Sequence, residues 1–599
     1  MDHAGRAVTV TSPGVRRKFT LCAMDGLEWP RPLTGRPDAA AAVLLPSSSP
    51  LGNSTMPGMP SRKSADAPAP TGFLGPDRNW HLGAGLMTAA TAVAFTIWAF
   101  THTGTDINVL LLILAIAFGL FMAFNIGGND VANSFGTSVG AGTLTMKQAL
   151  VVAAVFEVSG AVLAGGSVTE TVRSGIVDIE AMDVDPFSFA YIMMAALLGA
   201  AVWLLLATRM GWPVSTTHAI IGGIVGAAVT TGVVTGSGGF EMVQWGEIGQ
   251  IAISWVLSPL LGGVAAYLLF GLIKRHILTP AARAIVLGSR GFDDAEDDED
   301  DGDEDGTGRH VPGYERVTEL QQSAFAESAA LDLTPGSPGA ELAEQASHLS
   351  KKERKAARKI ERRAAYHALE KRVPPLAAVG AVLLAAMLVF KGLDNTGLTI
   401  STGGGVLMLI MLAIGVWIAT TVFARALKKQ SISRATFIMF SWMQVFTASA
   451  FAFSHGSNDI ANAVGPFAAV LDVLRTGAIS SEAAVPTAVL AAFGVALISG
   501  LWFVGRKVIH TVGTGLTAMH PSSGFAAELA AATIVLLASV LGLPVSSTHI
   551  LIGAVLGVGI VNHAANWKLM RPIFLAWIIT LPAAASIGAV VVLVLRAMF

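Results

Sequence analysis

The chain has 599 residues, of which 53% are hydrophobic and only 13% are charged. Apolar runs of roughly 20 residues recur along it, and each is long enough to cross the hydrocarbon core of a bilayer. This composition excludes a soluble globular protein and predicts an all-α polytopic membrane protein. The formal net charge of −2 gives no reason to expect a nucleic-acid partner, and the single cysteine, Cys22, excludes an intrachain disulfide.

The polar stretches divide the chain into four regions. The stretch 1–80 is rich in Ser, Pro, Gly and Ala and has no hydrophobic periodicity, which predicts disorder. The central polar stretch contains an acidic run at 293–305 and a basic helix at 350–372. For that helix, contact with anionic lipid and a simple positive-inside anchor are both open interpretations. The predicted regions are a disordered N-terminal tail at 1–80, a first transmembrane half at 81–275, a cytoplasmic loop at 276–373 and a second transmembrane half at 374–599.

About 12 to 13 membrane segments are predicted from hydropathy. In the first half they lie at about 82–101, 107–126, 147–168, 188–208, 212–233 and 248–273. In the second half they lie at about 374–391, 404–424, 434–453, 486–504, 523–541, 544–562 and 573–597.

The placement of lysine and arginine predicts the orientation, because short cytoplasmic loops are enriched in these residues. Six crossings before the central loop put the N-terminus and that loop in the cytoplasm, for a multi-pass protein of the plasma (inner) membrane. The loop near 171–186 is then predicted to lie on the outer side of the membrane. Its charged residues are mostly acidic, but it also contains Arg173, which the same rule would place in the cytoplasm. The basic residues predicted to face the cytoplasm are Arg209, Lys274, Arg275, those in 351–372, Arg425, Lys428, Lys429, Arg506, Lys507, Lys568 and Arg571.

Two motifs occur once in each half and in the same order. The stretch 124–136 contains Gly-Gly-Asn-Asp-Val-Ala-Asn, and 453–465 contains Gly-Ser-Asn-Asp-Ile-Ala-Asn. At nearly the same offset, Pro-Val-Ser-Thr-Thr-His at 213–218 returns as Pro-Val-Ser-Ser-Thr-His at 544–549. Because the two copies cross the membrane in opposite predicted directions, we expect an inverted-topology repeat with one site at the midplane. The alternative is a chance match of small-residue packing motifs.

The first motif places a carboxylate, Asp130 or Asp459, at the end of an apolar segment. A carboxylate there is costly unless a cation or a hydrogen-bond donor satisfies it. Carboxylate and amide oxygens suit a hard ion such as Na⁺, or H⁺, rather than a soft metal. Helix capping by Asn or Asp is the structural alternative. The flanking amides are Asn129, Asn133, Asn458 and Asn462.

The second motif places a proline shortly before three consecutive residues that carry hydroxyl groups. Free backbone N–H groups and hydroxyls at a positive helix start form an anion site, and two such starts would surround a tetrahedral oxyanion. Ordinary capping at a re-entrant turn is the alternative. The hydroxyl residues are Ser215, Thr216, Thr217, Ser546, Ser547 and Thr548.

Two further carboxylates, Glu157 and Glu528, are embedded in apolar runs. They do not occupy equivalent positions in the two copies of the repeat. Buried glutamates of this kind are ion ligands, proton carriers or gate partners, with a satisfied structural hydrogen bond as the alternative. His218, His455 and His549 are candidates for a role in proton coupling, or for interior hydrogen-bond donors.

With these motifs, the chain resembles the inorganic phosphate transporter (PiT) family of sodium- or proton-coupled phosphate symporters, over about 107–275 and 430–599. The resemblance implies phosphate as substrate, a cation that drives its uptake, and a homodimer. It places the family's membrane glutamates at Glu157 and Glu528. The combined phosphate-binding prediction is Ser215, Thr216, Thr217, Ser546, Ser547, Thr548, Asn129 and Asn458. The combined cation-binding or coupling prediction is Asp130, Asn133, Asp459, Asn462, Glu157 and Glu528.

The leading hypothesis is therefore a secondary symporter that imports inorganic phosphate with H⁺ or Na⁺ by alternating access. It needs no cofactor, no catalytic residue and no metal beyond a possible Na⁺ at Asp130 and Asp459. A sulfate or other oxyanion symporter and a passive channel are alternatives within transport. An intramembrane metal hydrolase is an alternative from another class, but the chain has no His-Glu-x-x-His motif.

Overall fold

A computed structural model describes residues 77–104, 107–177, 185–286, 349–392, 400–479 and 485–599. Several predictions lie outside the described residues. These are the disordered tail up to residue 76, the acidic run at 293–305, most of the central loop, and the acidic loop positions Asp178, Glu180 and Asp183.

The described part of the first half forms nine helices. Their bounds are α1 Arg78–Thr103, α2 Val109–Ile126, α3 Ala132–Gly140, α4 Met146–Ala164, α5 Gly166–Ser174, α6 Pro186–Met210, α7 Thr216–Thr235, α8 Trp245–Ile273 and α9 Thr279–Val286. Turns of π-helix at Gly127–Val131 and Lys274–Leu278 join α2 to α3 and α8 to α9.

The described part of the second half also forms nine helices. Their bounds are α10 Lys351–Met387, α11 Thr402–Ala426, α12 Ile432–Asp459, α13 Ala461–Thr476, α14 Thr487–Val504, α15 Arg506–His510, α16 Pro521–Val540, α17 Ser547–Val561 and α18 Trp567–Met598. A π-helical turn at Thr511–Gly515 follows α15.

Among the described residues, twelve helices are long and apolar enough to cross a membrane. A further apolar helix, α17, has only 15 residues. Some of these helices expose apolar side chains widely, as a lipid-facing helix does; α11 exposes Met411 and Ile418 and packs mainly on α10. The prediction of an all-α polytopic membrane protein is confirmed.

Each half contains an interrupted helix at its Asn-Asp motif. The α2–α3 helix changes to a π-helical turn at Gly127, and α12 ends at Asp459 before α13 begins. A helix of the opposite half lies directly against each motif: a Cβ atom on Gly127 would lie 1.7 Å from the Leu497 carbonyl oxygen of α14. On Gly456 it would lie 2.1 Å from the Glu157 carbonyl oxygen of α4. The two glycines therefore permit backbone contact that no larger residue allows.

The second motif starts a helix inside the protein in both halves. Ser215 and Ser546 are buried N-caps, and their hydroxyls accept hydrogen bonds from the backbone N–H groups of His218 (3.1 Å) and His549 (3.2 Å). Capping fixes where α7 and α17 begin. In each half this helix packs against the last long helix of the other half, α7 on α18 and α17 on α8. The halves therefore interlock, so one half cannot form the site alone.

The predicted basic helix is continuous with the following membrane segment in α10, which passes through a Pro-Pro pair at 374–375. Tertiary contacts hold this extension. Arg372 donates to the His276 carbonyl oxygen at 2.6 Å, and Glu370 accepts from Arg425 and Lys428 at 2.7 Å each. The structure therefore describes one helix of 37 residues rather than a separate surface helix.

Basic residues from distant parts of the sequence lie at one end of the helices. The Lys507 ammonium donates to the Arg209 carbonyl oxygen at 3.0 Å, and Arg506 and Lys147 each lie 3.1 Å from a carboxylate oxygen of Asp77. We call this end the basic end; it corresponds to the side predicted to be cytoplasmic.

Candidate functional site

The aspartates of the two Asn-Asp motifs lie together, although they belong to opposite halves of the sequence. One carboxylate oxygen of Asp130, one of Asp459 and one ring nitrogen of His455 all lie within 4.8 Å of one another. All three side chains are buried. Buried carboxylates cost several kcal/mol unless donors or cations compensate, so their surroundings decide what the site can bind.

Hydroxyl groups from both helix starts supply donors to the two carboxylates. Thr216 of α7 donates to Asp130, and so does Thr548 of α17, at 2.7 Å. Ser547 of α17 donates to Asp459. The hydroxyls predicted to bind an anion therefore contact the carboxylates predicted to bind a cation, and one of these contacts, from Thr548 to Asp130, joins the two halves.

The second asparagine of each motif also contacts the opposite half. Asn133 of α3 donates its amide hydrogen to the Thr548 hydroxyl at 2.7 Å. Asn462 of α13 donates to the hydroxyls of Thr216 and Thr217 at 3.2 and 3.1 Å. The hydroxyls and amides of the two halves thus form one hydrogen-bonded network around the aspartates.

Several oxygens in this network are buried and have no hydrogen-bond partner. They are Oδ1 of Asn133, Oδ1 of Asn462 and Oδ1 of Asp459. Each can only accept, and leaving a buried acceptor unsatisfied costs about 1–3 kcal/mol. Oxygens of carboxylates and amides are the ligands that hard cations bind. The donor set around the aspartates therefore fits a cation such as Na⁺.

The first asparagine of each motif has a different partner. The Asn129 amide donates to the Thr208 hydroxyl at 2.9 Å and to the Trp212 carbonyl oxygen at 3.0 Å. Asn458 makes the equivalent contacts in the second half, with the Ser539 hydroxyl at 3.2 Å and the Leu543 carbonyl oxygen at 3.1 Å. Each amide is hydrogen-bonded to the extended segment that precedes α7 or α17. These contacts therefore fix the position of the helix start that follows.

Glu157 reaches the aspartates through a histidine. Its Oε2 atom lies 2.7 Å from Nδ1 of His455, whose Nε2 atom lies 3.0 Å from Oδ2 of Asp459, although outside hydrogen-bonding geometry. In the first half, the position equivalent to His455 is Ile126, at the same offset that relates the two aspartates. The two halves therefore differ here, because the helix that carries Asp459 supplies an imidazole to the site and the helix that carries Asp130 has isoleucine at the equivalent position.

Glu528 lies in a separate network. It accepts hydrogen bonds from the Thr137 hydroxyl at 2.6 Å, the Thr447 hydroxyl at 2.8 Å and the Gln444 amide at 3.1 Å. Thr137 lies one helical turn beyond Asn133 on α3. Glu528 is thus linked to the site through the helix that carries Asn133.

Comparisons with known proteins give the family of the chain. A family profile described as the phosphate transporter family matches residues 126–588. This chain belongs to the phosphate transporter family. It is a transporter, and the prediction that it is not an enzyme is confirmed by this membership.

Individual relatives agree with the family assignment. The transporter is 56% identical over 540 residues to the "Putative phosphate permease" of Mycobacterium bovis, covering 90% of this chain and 96% of that protein. It is 33% identical over 486 residues to "Inorganic phosphate transporter 2-1, chloroplastic" of Arabidopsis thaliana, covering 80% and 71%. Among solved structures, "The sodium-dependent phosphate transporter" is similar, with a TM-score of 0.62, 29% identity, and coverage of 82% and 100%.

Some residues of this transporter's site were not in the sequence prediction. The sequence makes His455 a candidate for proton coupling or for an interior donor without placing it beside Asp459, and it assigns no role to Thr137, Gln444 or Thr447. The available signals were weak: Gln444 and Thr447 are polar residues inside the apolar helix α12, and Thr137 lies one turn after Asn133. Polar residues inside membrane helices favour an interior position without identifying the partner.

The histidines after the two hydroxyl triplets lie against each other. The ring centroids of His218 and His549 are 4.5 Å apart, and each ring also packs on a tryptophan, Trp255 at 3.9 Å and Trp577 at 3.8 Å. In this transporter they form an aromatic contact between the halves, next to the hydroxyl residues of the aspartate cluster.

Proposed function

We propose that this chain is a symporter that moves inorganic phosphate inward together with a cation, Na⁺ or H⁺. One observation carries the proposal: hydroxyls from both halves donate to Asp130 and Asp459, while neighbouring acceptor oxygens are buried without donors. The same few atoms can therefore serve a cation and an anion. The family membership and the sodium-dependent phosphate transporter of similar structure support phosphate and a cation as the two ligands.

The hydrogen bonds suggest how the two ligands are coupled. Without a cation, Thr216, Thr548 and Ser547 donate to the carboxylates and cannot donate to an anion with the same hydrogens. A cation at the carboxylates replaces these donors, since it satisfies the same negative oxygens. The freed hydroxyls, with the backbone N–H groups of the two helix starts, can then donate to phosphate oxygens. Each ligand thus favours binding of the other, as reciprocal linkage requires.

Charge gives a second source of coupling. In the part of the chain that the structure describes, neither Asp130 nor Asp459 has a lysine or arginine as hydrogen-bond partner. Two carboxylates that lie next to an anion site repel a phosphate anion strongly in a medium of low dielectric constant. A bound cation reduces this repulsion. We assign Asp130, Asp459, Asn133 and Asn462 to the cation, with Glu157 and Glu528 as coupling residues.

For phosphate we assign the hydroxyls of Thr216, Thr217, Ser547 and Thr548. Ser215 and Ser546 act as N-caps that orient these groups. Asn129 and Asn458 hold the segments that precede the two helix starts.

Transport by alternating access fits the interlocked halves, because a site shared between them opens to either side when one half moves against the other. The proposal keeps the inverted-topology repeat, which the equivalent contacts of the two motif copies, at nearly the same sequence offset, support. It also keeps a plasma-membrane location, a cytoplasmic N-terminus and central loop, and a homodimer.

The test is uptake of radiolabelled phosphate by proteoliposomes that contain the purified full-length chain, with sodium and proton gradients imposed separately. We expect uptake above the equilibrium level with at least one inward cation gradient, and collapse of that uptake when the gradient is dissipated. Uptake that only equilibrates phosphate, whatever the gradient, would indicate a channel and contradict symport. Inhibition by excess sulfate as strong as that by excess phosphate would favour the broader oxyanion specificity.

A further inference from the structure

One cavity, away from the aspartate cluster, combines apolar walls with basic side chains. Its volume is about 430 Å³, and it lies between the end of α8, with the π-helical turn that follows, and the middle of α10. Its polar lining residues are His276, Lys371 and Arg372, and none of the described lining residues is acidic. The apolar lining residues are Leu269, Leu272, Ile273, Ile277, Pro375 and Leu376. A ligand that matches this cavity has an anionic part and an apolar part.

The two basic residues keep donors for such a ligand. Arg372 donates from Nη1 to the His276 carbonyl oxygen at 2.6 Å, which ties α10 to the π-helical turn and uses one of the five N–H donors of the guanidinium. Lys371 is exposed and has no ion-pair partner among the residues that the structure describes. Both cationic groups can therefore donate to an anion in the cavity.

The acidic residue next to this pair does not neutralise it. Glu370 accepts hydrogen bonds from Arg425 and Lys428, at 2.7 Å each, and so is paired with the end of α11 and the turn after it. It does not line the cavity. The positive charge of Lys371 and Arg372 is thus left for a ligand from outside the chain.

Other cavities in the described part of the chain lack this combination. Those between α1, α4 and α14 and between α10, α11 and α12 have no charged lining residue. The cavity beside Thr143 and Trp442 has Lys147 in its lining, but the Lys147 ammonium lies 3.1 Å from a carboxylate oxygen of Asp77. Apolar surface and uncompensated positive charge therefore occur together at the cavity between α8 and α10.

This cavity lies at the basic end of the helices. Lys274, in the lining π-helical turn, donates to Oδ1 of Asn562 at 2.9 Å. In the same loop, Asn566 donates to the Gly515 carbonyl oxygen at 3.0 Å, in the turn that follows α15. The helix α15 carries two of the basic residues that define that end. Basic residues that flank apolar helix surface are typical of the level of lipid headgroups.

The apolar wall continues the exposed surface of α8. Leu268 and Leu272 are one helical turn apart, and they are 57% and 58% exposed. Exposed apolar surface on a membrane helix is covered by acyl chains. An inorganic anion at Lys371 and Arg372 would leave this wall uncovered, whereas a phospholipid has both the charge and the chain that the cavity matches.

We propose that the cavity binds one anionic phospholipid. Its phosphate accepts hydrogen bonds from Lys371 and Arg372, and an acyl chain lies along Leu269, Leu272 and Leu376. Basic pockets between membrane helices on the cytoplasmic side suit anionic headgroups, and a guanidinium matches two phosphate oxygens at once. Because α8 and α10 belong to opposite halves, the lipid contacts both halves. The proposal is independent of the ligands that the chain transports.

The experiment is native mass spectrometry of the purified, delipidated full-length chain in detergent, titrated with palmitoyl-oleoyl phosphatidylglycerol or with the phosphatidylcholine that has the same chains. We expect one phosphatidylglycerol per chain at concentrations at which phosphatidylcholine does not bind. Lys371→Gln should weaken phosphatidylglycerol binding about fivefold, and Lys371→Gln with Arg372→Gln about 20-fold or more, because each removes one cationic contact.

Two control variants separate this site from general attraction to the chain. Lys568→Gln with Arg571→Gln removes the same charge from exposed positions that do not line the cavity, and should leave the phosphatidylglycerol affinity unchanged. Lys371→Gln alone covers the case in which the double variant fails to fold, since no described residue pairs with Lys371.

The acyl chain is tested by filling the apolar wall. Leu272→Trp keeps both charges and should weaken phosphatidylglycerol binding about fivefold or more, because the larger side chain occupies the space of the chain. Leu260→Trp is the matched control, since Leu260 is 61% exposed on α8 and does not line the cavity.

Three results would overturn the inference. One is equal affinity of the wild type for the two lipids. Another is equal loss in the Lys371/Arg372 and Lys568/Arg571 variants, which would indicate attraction to the whole basic end. The third is wild-type phosphatidylglycerol binding in Leu272→Trp, which would remove the acyl chain from the cavity. Each of these results leaves the proposed function standing.

Discussion

Thr548→Val tests the proposed coupling between the two ligands most directly. The Thr548 hydroxyl donates to Asp130 Oδ1 at 2.7 Å and accepts from the Asn133 amide at 2.7 Å, so it is shared between the cation and anion parts of the site. Valine keeps the volume and removes the hydroxyl. A hydrogen bond to a charged group is worth about 1.5–3 kcal/mol, and each step of about 1.36 kcal/mol is a factor of ten. The phosphate half-saturation concentration should therefore rise roughly 10- to 100-fold.

The effect on the cation should be different. In the cation-free state the hydroxyl competes with the cation for Asp130, so its loss should leave the cation half-saturation concentration, measured at low phosphate, unchanged or lower. The factor by which saturating cation improves phosphate affinity should fall. Both quantities come from initial uptake rates in proteoliposomes, measured over a grid of cation and phosphate concentrations, with thermal unfolding in detergent as the check on folding.

Thr217→Val is the matched control, because Thr217 occupies the equivalent position in the first half. Its hydroxyl donates to the Val545 carbonyl oxygen at 2.9 Å and accepts from Asn462, without contact to a carboxylate. We expect it to weaken phosphate binding and to keep the coupling factor. A wild-type phosphate half-saturation in Thr548→Val, or equal loss of coupling in both variants, would refute the reasoning.

Three further variants test other parts of the structure. Asp130→Asn should abolish cation-driven uptake while the purified yield stays close to wild type; normal uptake would rule out its role with the cation. Gly127→Ala should sharply lower the monodisperse fraction in size-exclusion chromatography, because its Cβ atom would lie 1.7 Å from a carbonyl oxygen of α14, whereas Gly85→Ala, with no atom within 4 Å, should not. Asp77→Asn should change the thermal unfolding temperature only slightly, since exposed ion pairs contribute little. Hydrogen bonds from Lys147 and then from a neighbouring guanidinium lower the pKa of Asp77 below its usual value of 3.8. Its small contribution should therefore be constant between about pH 5 and 8 and disappear only as the pH falls through that lowered pKa; a change near pH 7 would count against it.

The sequence alone determined the class of protein, because membrane helices are encoded locally. A run of roughly 20 apolar residues must be a helix in hydrocarbon, where every backbone group has to be satisfied within the segment. The duplicated motifs were equally visible, and their rarity was enough for the family resemblance. The positions of the candidate residues Asp130, Asp459 and the hydroxyl triplets followed from these motifs, as did the expectation that both halves share one site.

The tertiary structure decided which atoms meet. Asn129 and Asn133 look alike in the motif, yet one amide holds a loop and the other reaches the Thr548 hydroxyl of the opposite half. Glu157 and Glu528 look alike as buried glutamates, yet only Glu157 connects to an aspartate, through His455. These differences depend on contacts between side chains that lie far apart in the sequence. The local hydrophobic pattern specifies each helix. Which side chains meet across helices depends on how the two halves pack, and the periodicity within one segment contains no information about that packing.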